Sequence, residues 1–193
     1  MCKGCFVPIA FGIKKANSDV EKQAVEDFVV EMERKDPRRM KPQDYFISCF
    51  ENKFLLNHSF EPYVIGHLVL QPIEHVTQFH ESLGKSPDKI GLSKDDASKL
   101  PLIIREVSKL LEECLTAQNY PPARIYMCSF NEAPDWHLHL HLIPRAKQEV
   151  IVGPSLLTTV RRQPTKEEVE NVVNCLREKL SKSSAPTRNM RAN

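Results

Sequence analysis

The 193-residue chain has no apolar run near the length of a membrane-spanning helix, and its N-terminus lacks the apolar core of a signal peptide. It has little net charge. A formal +2 is too small to argue for a nucleic-acid or membrane surface as a partner. It shows no internal repeat and no magnesium motif. These absences predict a soluble intracellular protein, cytoplasmic with the nucleus left open. At 41% hydrophobic the chain can bury one sizeable core, so one domain over residues 1–180 is expected. Cys2, Cys5, Cys49, Cys114, Cys128 and Cys175 make an even count. Without a secretion signal they predict thiols or metal ligands rather than disulfides.

What is present is concentrated in one run, Trp136-His-Leu-His-Leu-His-Leu-Ile-Pro-Arg145, which holds three of the seven histidines. On a strand, alternate side chains share a face. His137, His139 and His141 would then line one face, roughly 6.5–7 Å apart, with Trp136, Leu138, Leu140 and Leu142 on the other. A helix would scatter them, because two residues turn through about 200°. Two chemistries suit such a row. The histidines could hold a catalytic metal with an open position for water. Alternatively, one imidazole attacks phosphorus while its neighbours bond the phosphate oxygens.

Around this run the periodicities predict an α+β domain: a mostly antiparallel sheet of about five strands with flanking helices. Ser18 and Glu21 form a capping box ahead of an apolar face at Val20, Ala24, Val25, Phe28, Val29 and Met32, giving a helix over 18–34 that Asp36-Pro37 ends. Arg38, Arg39 and Lys41 then read as a solvated linker, with phosphate binding as the alternative, so that residues 18–42 are a helical elaboration. Strands are expected at 45–51, 53–57, 67–71 and 124–130, with a last edge strand at 149–152. Further helices are expected at 93–117, which Pro101 kinks or opens, and at 165–180, where Thr165 and Glu168 form a second box. Cys114 falls on an apolar face and reads as a core thiol. From Ser181 the Ser, Pro, Arg and Asn content predicts a disordered tail.

His-x-His-x-His followed by two apolar residues, Pro144 and Arg145 resembles the histidine triad superfamily of nucleotide hydrolases and transferases. The resemblance implies that His139 is the nucleophile toward an α-phosphate, that His141 and His137 assist it, and that the protein is a homodimer. Residues 54–57 and 62–70 look like the superfamily's ribose-facing strand and Gly-His-Leu strand. Asn57 is thereby placed at the ribose, and His67 beside the nucleotide as a satisfied, half-buried ring. Asn131 falls where relatives keep an amide near phosphate or ribose. The Gly-Gln-x-Val loop of many relatives is missing, so donors to the leaving group must come from elsewhere. Cys2 and Cys5, as a Cys-x-x-Cys, resemble the zinc-bearing branch, which with His75 and His137 implies a closed structural zinc site. If His137 binds zinc, it cannot also serve the phosphate with the same nitrogen. Two rivals remain open: a metal-dependent hydrolase using all three histidines, and a nucleotide-binding protein without catalysis.

Overall fold

The computed structural model describes residues 3–80, 90–130, 137–158 and 162–183. Its elements run α1 (Lys3–Ala10), α2 (Asp19–Lys35), α3 (Pro42–Tyr45), β1 (Phe46–Phe50), β2 (Phe54–His58), β3 (Leu68–Pro72), α4 (Lys94–Ala117), β4 (Pro122–Cys128), β5 (Leu140–Ala146), α5 (Ser155–Thr158) and α6 (Lys166–Lys182). The strands form one antiparallel sheet in the order β1-β2-β3-β5-β4. Strand β5 thus has neighbours on both sides, as a strand free of proline until Pro144 permits.

The three long helices begin where their caps are written. Ser18 Oγ accepts from the Glu21 N–H, and Thr165 exchanges both bonds of a capping box with Glu168. Helix α4 starts on Ser93, whose Oγ accepts from the Asp96 N–H; Pro101 is carried inside a continuous helix rather than opening it. On α6, Val169, Val172, Val173 and Leu176 are fully buried and Leu180 nearly so. Each such side chain contributes about 1.5–3 kcal/mol relative to exposure. They share one core with Val107, Leu111 and Leu115 of α4 and with Leu68, Leu70, Leu138, Leu140 and Leu142 from the sheet. The leucines of the His-Leu alternation therefore close the helix-covered face, leaving the histidines to the other.

Four sequence expectations are corrected. Residues 149–152 form no strand: β5 ends at Ala146, Val150 and Val152 are 88% and 59% exposed, and side chains take up the backbone groups, Arg145 Nη1 donating to the Glu149 carbonyl and the Ile151 N–H to Glu149 Oε1. Cys114 is joined to Cys175 in a disulfide between α4 and α6, whose Cα atoms lie 5.9 Å apart. That adjacency spans 61 positions of sequence and arises only from helix packing. One element was not foreseen at all: the segment around Cys5 is helical (α1), fixed to α2 by Phe6 against Phe28, ring centroids 5.7 Å apart. Arg38 is not solvated: its side chain is 5% exposed. Helix α6 runs to Lys182, past the expected start of the tail; residues 184–193 lie outside the described part.

Candidate active site

Cross-strand register places Asn57 of β2 opposite Val69 of β3, and Val69 opposite His141 of β5. These three therefore lie in one row on one face of the sheet. Regular pairing begins only at Leu140, but His137 and His139 continue the same alternation in an extended lead-in, which the Leu138 N–H anchors to the Val76 carbonyl at 2.6 Å. All three histidines line a single cleft of about 940 Å³, with Asn57, His67, Val69 and Gln71 as its floor. Helix α2 supplies one wall through Phe28, Glu31, Met32 and Lys35, Arg38 and Phe60 continue the lining beyond Asn57, and Tyr63 stacks on His67 beside the histidines. The elaboration at 18–42 is thus part of the cleft.

Hydrogen bonds assign each ring a tautomer. His139 Nδ1 sits 2.8 Å from the His137 carbonyl, an acceptor only, so Nδ1 carries the proton and Nε2 presents a lone pair. The Tyr63 N–H donates to His67 Nδ1 at 3.2 Å, so the His67 proton is on Nε2. That Nε2 lies 2.8 Å from His141 Nδ1, which must accept. His141 is left with an Nε2–H donor. Burial, then the neighbouring His141, holds the His67 pKa well below the ordinary histidine value. Burial, then the neighbouring His139, pushes His141 down to about 4. At neutral pH both are uncharged, as the relay requires.

His137 has other partners. Its Nδ1 lies 3.5 Å from Cys5 Sγ, which is 3.2 Å from His75 Nδ1. The three donor atoms fall within 4.8 Å of one another. His137 Nε2 donates to the Pro72 carbonyl at 2.7 Å, an outer bond that fixes the ring and turns Nδ1 toward Cys5. One thiolate and two oriented imidazoles are the donor chemistry of zinc. The fourth expected ligand, Cys2, lies outside the described residues. Gly4 makes this approach possible: a Cβ built on it would stand 2.2 Å from His137 Cβ. The Gly4 carbonyl also accepts from Gln71 Nε2 at 3.0 Å.

Of the remaining expected site residues, Asn57 is buried and its Nδ2 donates to the His58 carbonyl at 2.7 Å. Its Oδ1 is a buried acceptor with no hydrogen-bond partner. His67 is more buried than expected, 1% exposed, because it supports His141 from beneath. Asn131 lies outside the described residues. Sequence reading missed Arg38 and Gln163, both on the cleft. The arginine stood in a charged, proline-flanked run that composition alone reads as solvated.

His58 was also passed over, and it carries a pH prediction. Fully buried, it donates from Nδ1 to the Ser59 carbonyl at 3.0 Å and accepts at Nε2 from the Gly66 N–H at 3.2 Å. Gly66 supplies that N–H from a turn with φ +76°, where a side chain would be strained. Burial, the largest cause, pushes the His58 pKa down to about 4. An unfolded histidine titrates near ~6.5, so between these values the unfolded chain binds more protons. The contribution of neutral His58 is therefore full above pH 6.5 and is lost as pH falls toward 4, by about 2 kcal/mol at pH 5. Melting temperature should drop between pH 7 and 5, and the slope should be shallower in His58→Gln. Equal slopes in the two proteins would refute the assignment.

No protein-family model matches this sequence, and no curated protein sequence matches it. Solved structures are similar to it in fold. A zinc-bound histidine triad family protein from Mycobacterium smegmatis superposes with TM-score 0.46 at 16% identity, covering 80% of this chain and 94% of that one. A hypothetical histidine triad nucleotide-binding protein from Sulfolobus tokodaii gives TM-score 0.46 at 19% identity over 71% and 83% of the two chains. A Hit-like protein involved in cell-cycle regulation from Bartonella henselae gives 0.43 at 18% over 79% and 93%. The likeness is one of architecture: an α+β domain whose open, antiparallel five-stranded sheet resembles that of histidine triad proteins.

Proposed function

We propose that this protein is a nucleotide-binding hydrolase or transferase that acts at the α-phosphate through a nucleotidyl-histidine intermediate. The observation that carries the reading is the His139 tautomer. Its Nδ1 proton is committed to the His137 carbonyl, so Nε2 is a nucleophile without needing a separate base. In the first step the Nε2–P bond forms as the bond from phosphorus to the leaving group breaks, and the leaving group takes the bonding pair. In the second, water or another acceptor attacks phosphorus and the Nε2–P bond breaks, returning the pair to His139. The Nδ1 proton stays on the ring throughout and stabilises the imidazolium against the carbonyl. His141 Nε2–H, oriented through His67 and the Tyr63 N–H, donates to a non-bridging oxygen as charge builds there.

Asn57 Oδ1 would take a ribose hydroxyl, one row along from the reacting phosphate. Gln163, ahead of α6, is the described cleft residue best suited to replace the missing phosphate-orienting loop. A zinc ion on Cys5, His75 and His137, with Cys2 as the expected fourth ligand, would hold α1 against the active strand and supply no chemistry to the reaction. The arrangement favours this over three histidines around a catalytic metal, because their Nδ1 atoms serve three different partners: Cys5, the His137 carbonyl and His67. A homodimer, as the resemblance implies, and a cytoplasmic location complete the proposal; light scattering tests the first.

The test is a rapid-quench incubation with a nucleoside phosphoramidate and with a dinucleoside polyphosphate. A mass increment of one nucleotidyl group, mapped to His139, is expected. Tight nucleotide binding with neither adduct nor turnover would leave a binding protein and remove the enzyme.

A further inference from the structure

The end of the cleft away from the histidines contains a cation that the proposed chemistry does not use. Arg38 is held on two sides: its Nε donates to Asp36 Oδ1 at 2.7 Å and its Nη2 to the Phe60 carbonyl at 2.6 Å. Asp36 is in turn fixed by the Tyr45 hydroxyl and by the N–H groups of Arg38 and Met40. The guanidinium also lies over the Tyr45 ring, 5.9 Å from its centroid. The remaining nitrogen, Nη1, has no hydrogen-bond partner, although the side chain is only 5% exposed. A buried guanidinium N–H left unmade costs more than the same bond contributes when made, so a rigidly held one in a cleft wall marks a ligand acceptor.

Its position matches one part of a nucleotide. Asn57 lies two strands from His141, about 9.5 Å across the sheet. Phe60, whose carbonyl positions Arg38, follows Asn57 by three residues, at most about 10 Å further on. With phosphate at His139 and ribose at Asn57, the base falls toward Arg38, between the apolar side chains of Phe28, Met32 and Phe60. The acceptor there is not a second phosphate. Asp36 already neutralises Arg38, Lys35 is paired with Glu31, and Glu61 adds a carboxylate to the same wall. Those charges would repel an anion. A neutral carbonyl oxygen suits the site, beside carboxylates able to accept from neighbouring ring N–H groups.

Guanine has that pattern: O6 and N7 accept, and arginine bonds both, whereas adenine presents an amino group where O6 would be. We infer that Arg38 is a specificity-determining residue that selects a 6-oxopurine nucleotide over an adenine nucleotide, an inference that rests on the nucleotide reading of the cleft.

Calorimetric titration with GMP, IMP, AMP and ribose 5-phosphate tests this on the intact protein. GMP and IMP should bind about tenfold or more tighter than AMP, since one hydrogen bond from a charged donor discriminates by roughly 10- to 150-fold. The IMP-to-AMP comparison reads O6 alone and needs no variant. In Arg38→Met the preference should collapse toward unity through loss of GMP and IMP affinity, with ribose 5-phosphate binding unchanged. Equal GMP and AMP affinities in the unmutated protein would overturn the role of Arg38 and leave the nucleotide reading standing. So would a variant that weakens all four ligands alike, as a purely structural arginine would. Failure of every nucleotide and of ribose 5-phosphate to bind would overturn both.

Discussion

His139→Gly is expected to lower turnover of a nucleoside phosphoramidate by on the order of 10⁴- to 10⁶-fold, the loss typical when a covalent nucleophile is removed. Binding of a nucleoside monophosphate should change only a few-fold, because Asn57 and the α2 wall remain. The fold should survive as well. His139 is half-buried at the cleft, its ring bonds the neighbouring His137 carbonyl, its own carbonyl accepts from Ser129 Oγ whatever the side chain, and the packing on that strand belongs to Leu138, Leu140 and Leu142. His141→Gln should cost less, about 10²–10³, since it removes one donor and not the attacking atom. Steady-state hydrolysis beside a melting curve reads both effects. A His139→Gly protein retaining near-parental turnover on a substrate the parent cleaves would end the covalent mechanism.

Gly4→Ala should be the most damaging single change outside the catalytic pair. At an exposed position inside a helix the substitution stabilises by about 1 kcal/mol. Here the added methyl would meet His137 Cβ at 2.2 Å and Cγ at 2.6 Å. Neither carbon can swing aside, since Cβ is fixed by the backbone and the ring is tied to the Pro72 carbonyl. Overpacking of this kind costs roughly 1–3 kcal/mol or more and outweighs the helix preference. Helix α1 must lift from the strand, separating Cys5 from His75 and His137. Purified Gly4→Ala protein should therefore carry well under one zinc per chain and melt several degrees below the parent, with Cys5→Ser behaving alike. An alanine variant with full zinc and a higher melting temperature would refute the close approach, and a parent protein free of stoichiometric zinc would refute the metal.

Much of this molecule is legible without coordinates, for reasons that can be named. The periodicities that mark α2, α4 and α6 are local, and so are the serine and threonine caps that start them. The same holds for the His-Leu alternation: whichever face is buried, the leucines must take it, so three histidines share the other. The disulfide between Cys114 and Cys175, the missing strand at 149–152 and the burial of Arg38 were not legible. Each depends on which distant segment comes to lie alongside, and no window of sequence contains that information.

The division runs through the site itself. Sequence alone determined that His137, His139 and His141 would face one way on a strand, because a two-residue period admits no other outcome. It could not say that the three rings would do three different things. Tertiary structure decided that, by bringing Cys5 and His75 to one Nδ1, the His137 carbonyl to the second and His67 to the third. A histidine's role is set by which nitrogen carries its proton, and that is settled by hydrogen-bond partners that are, but for the His137 carbonyl, 65 or more positions away in the chain.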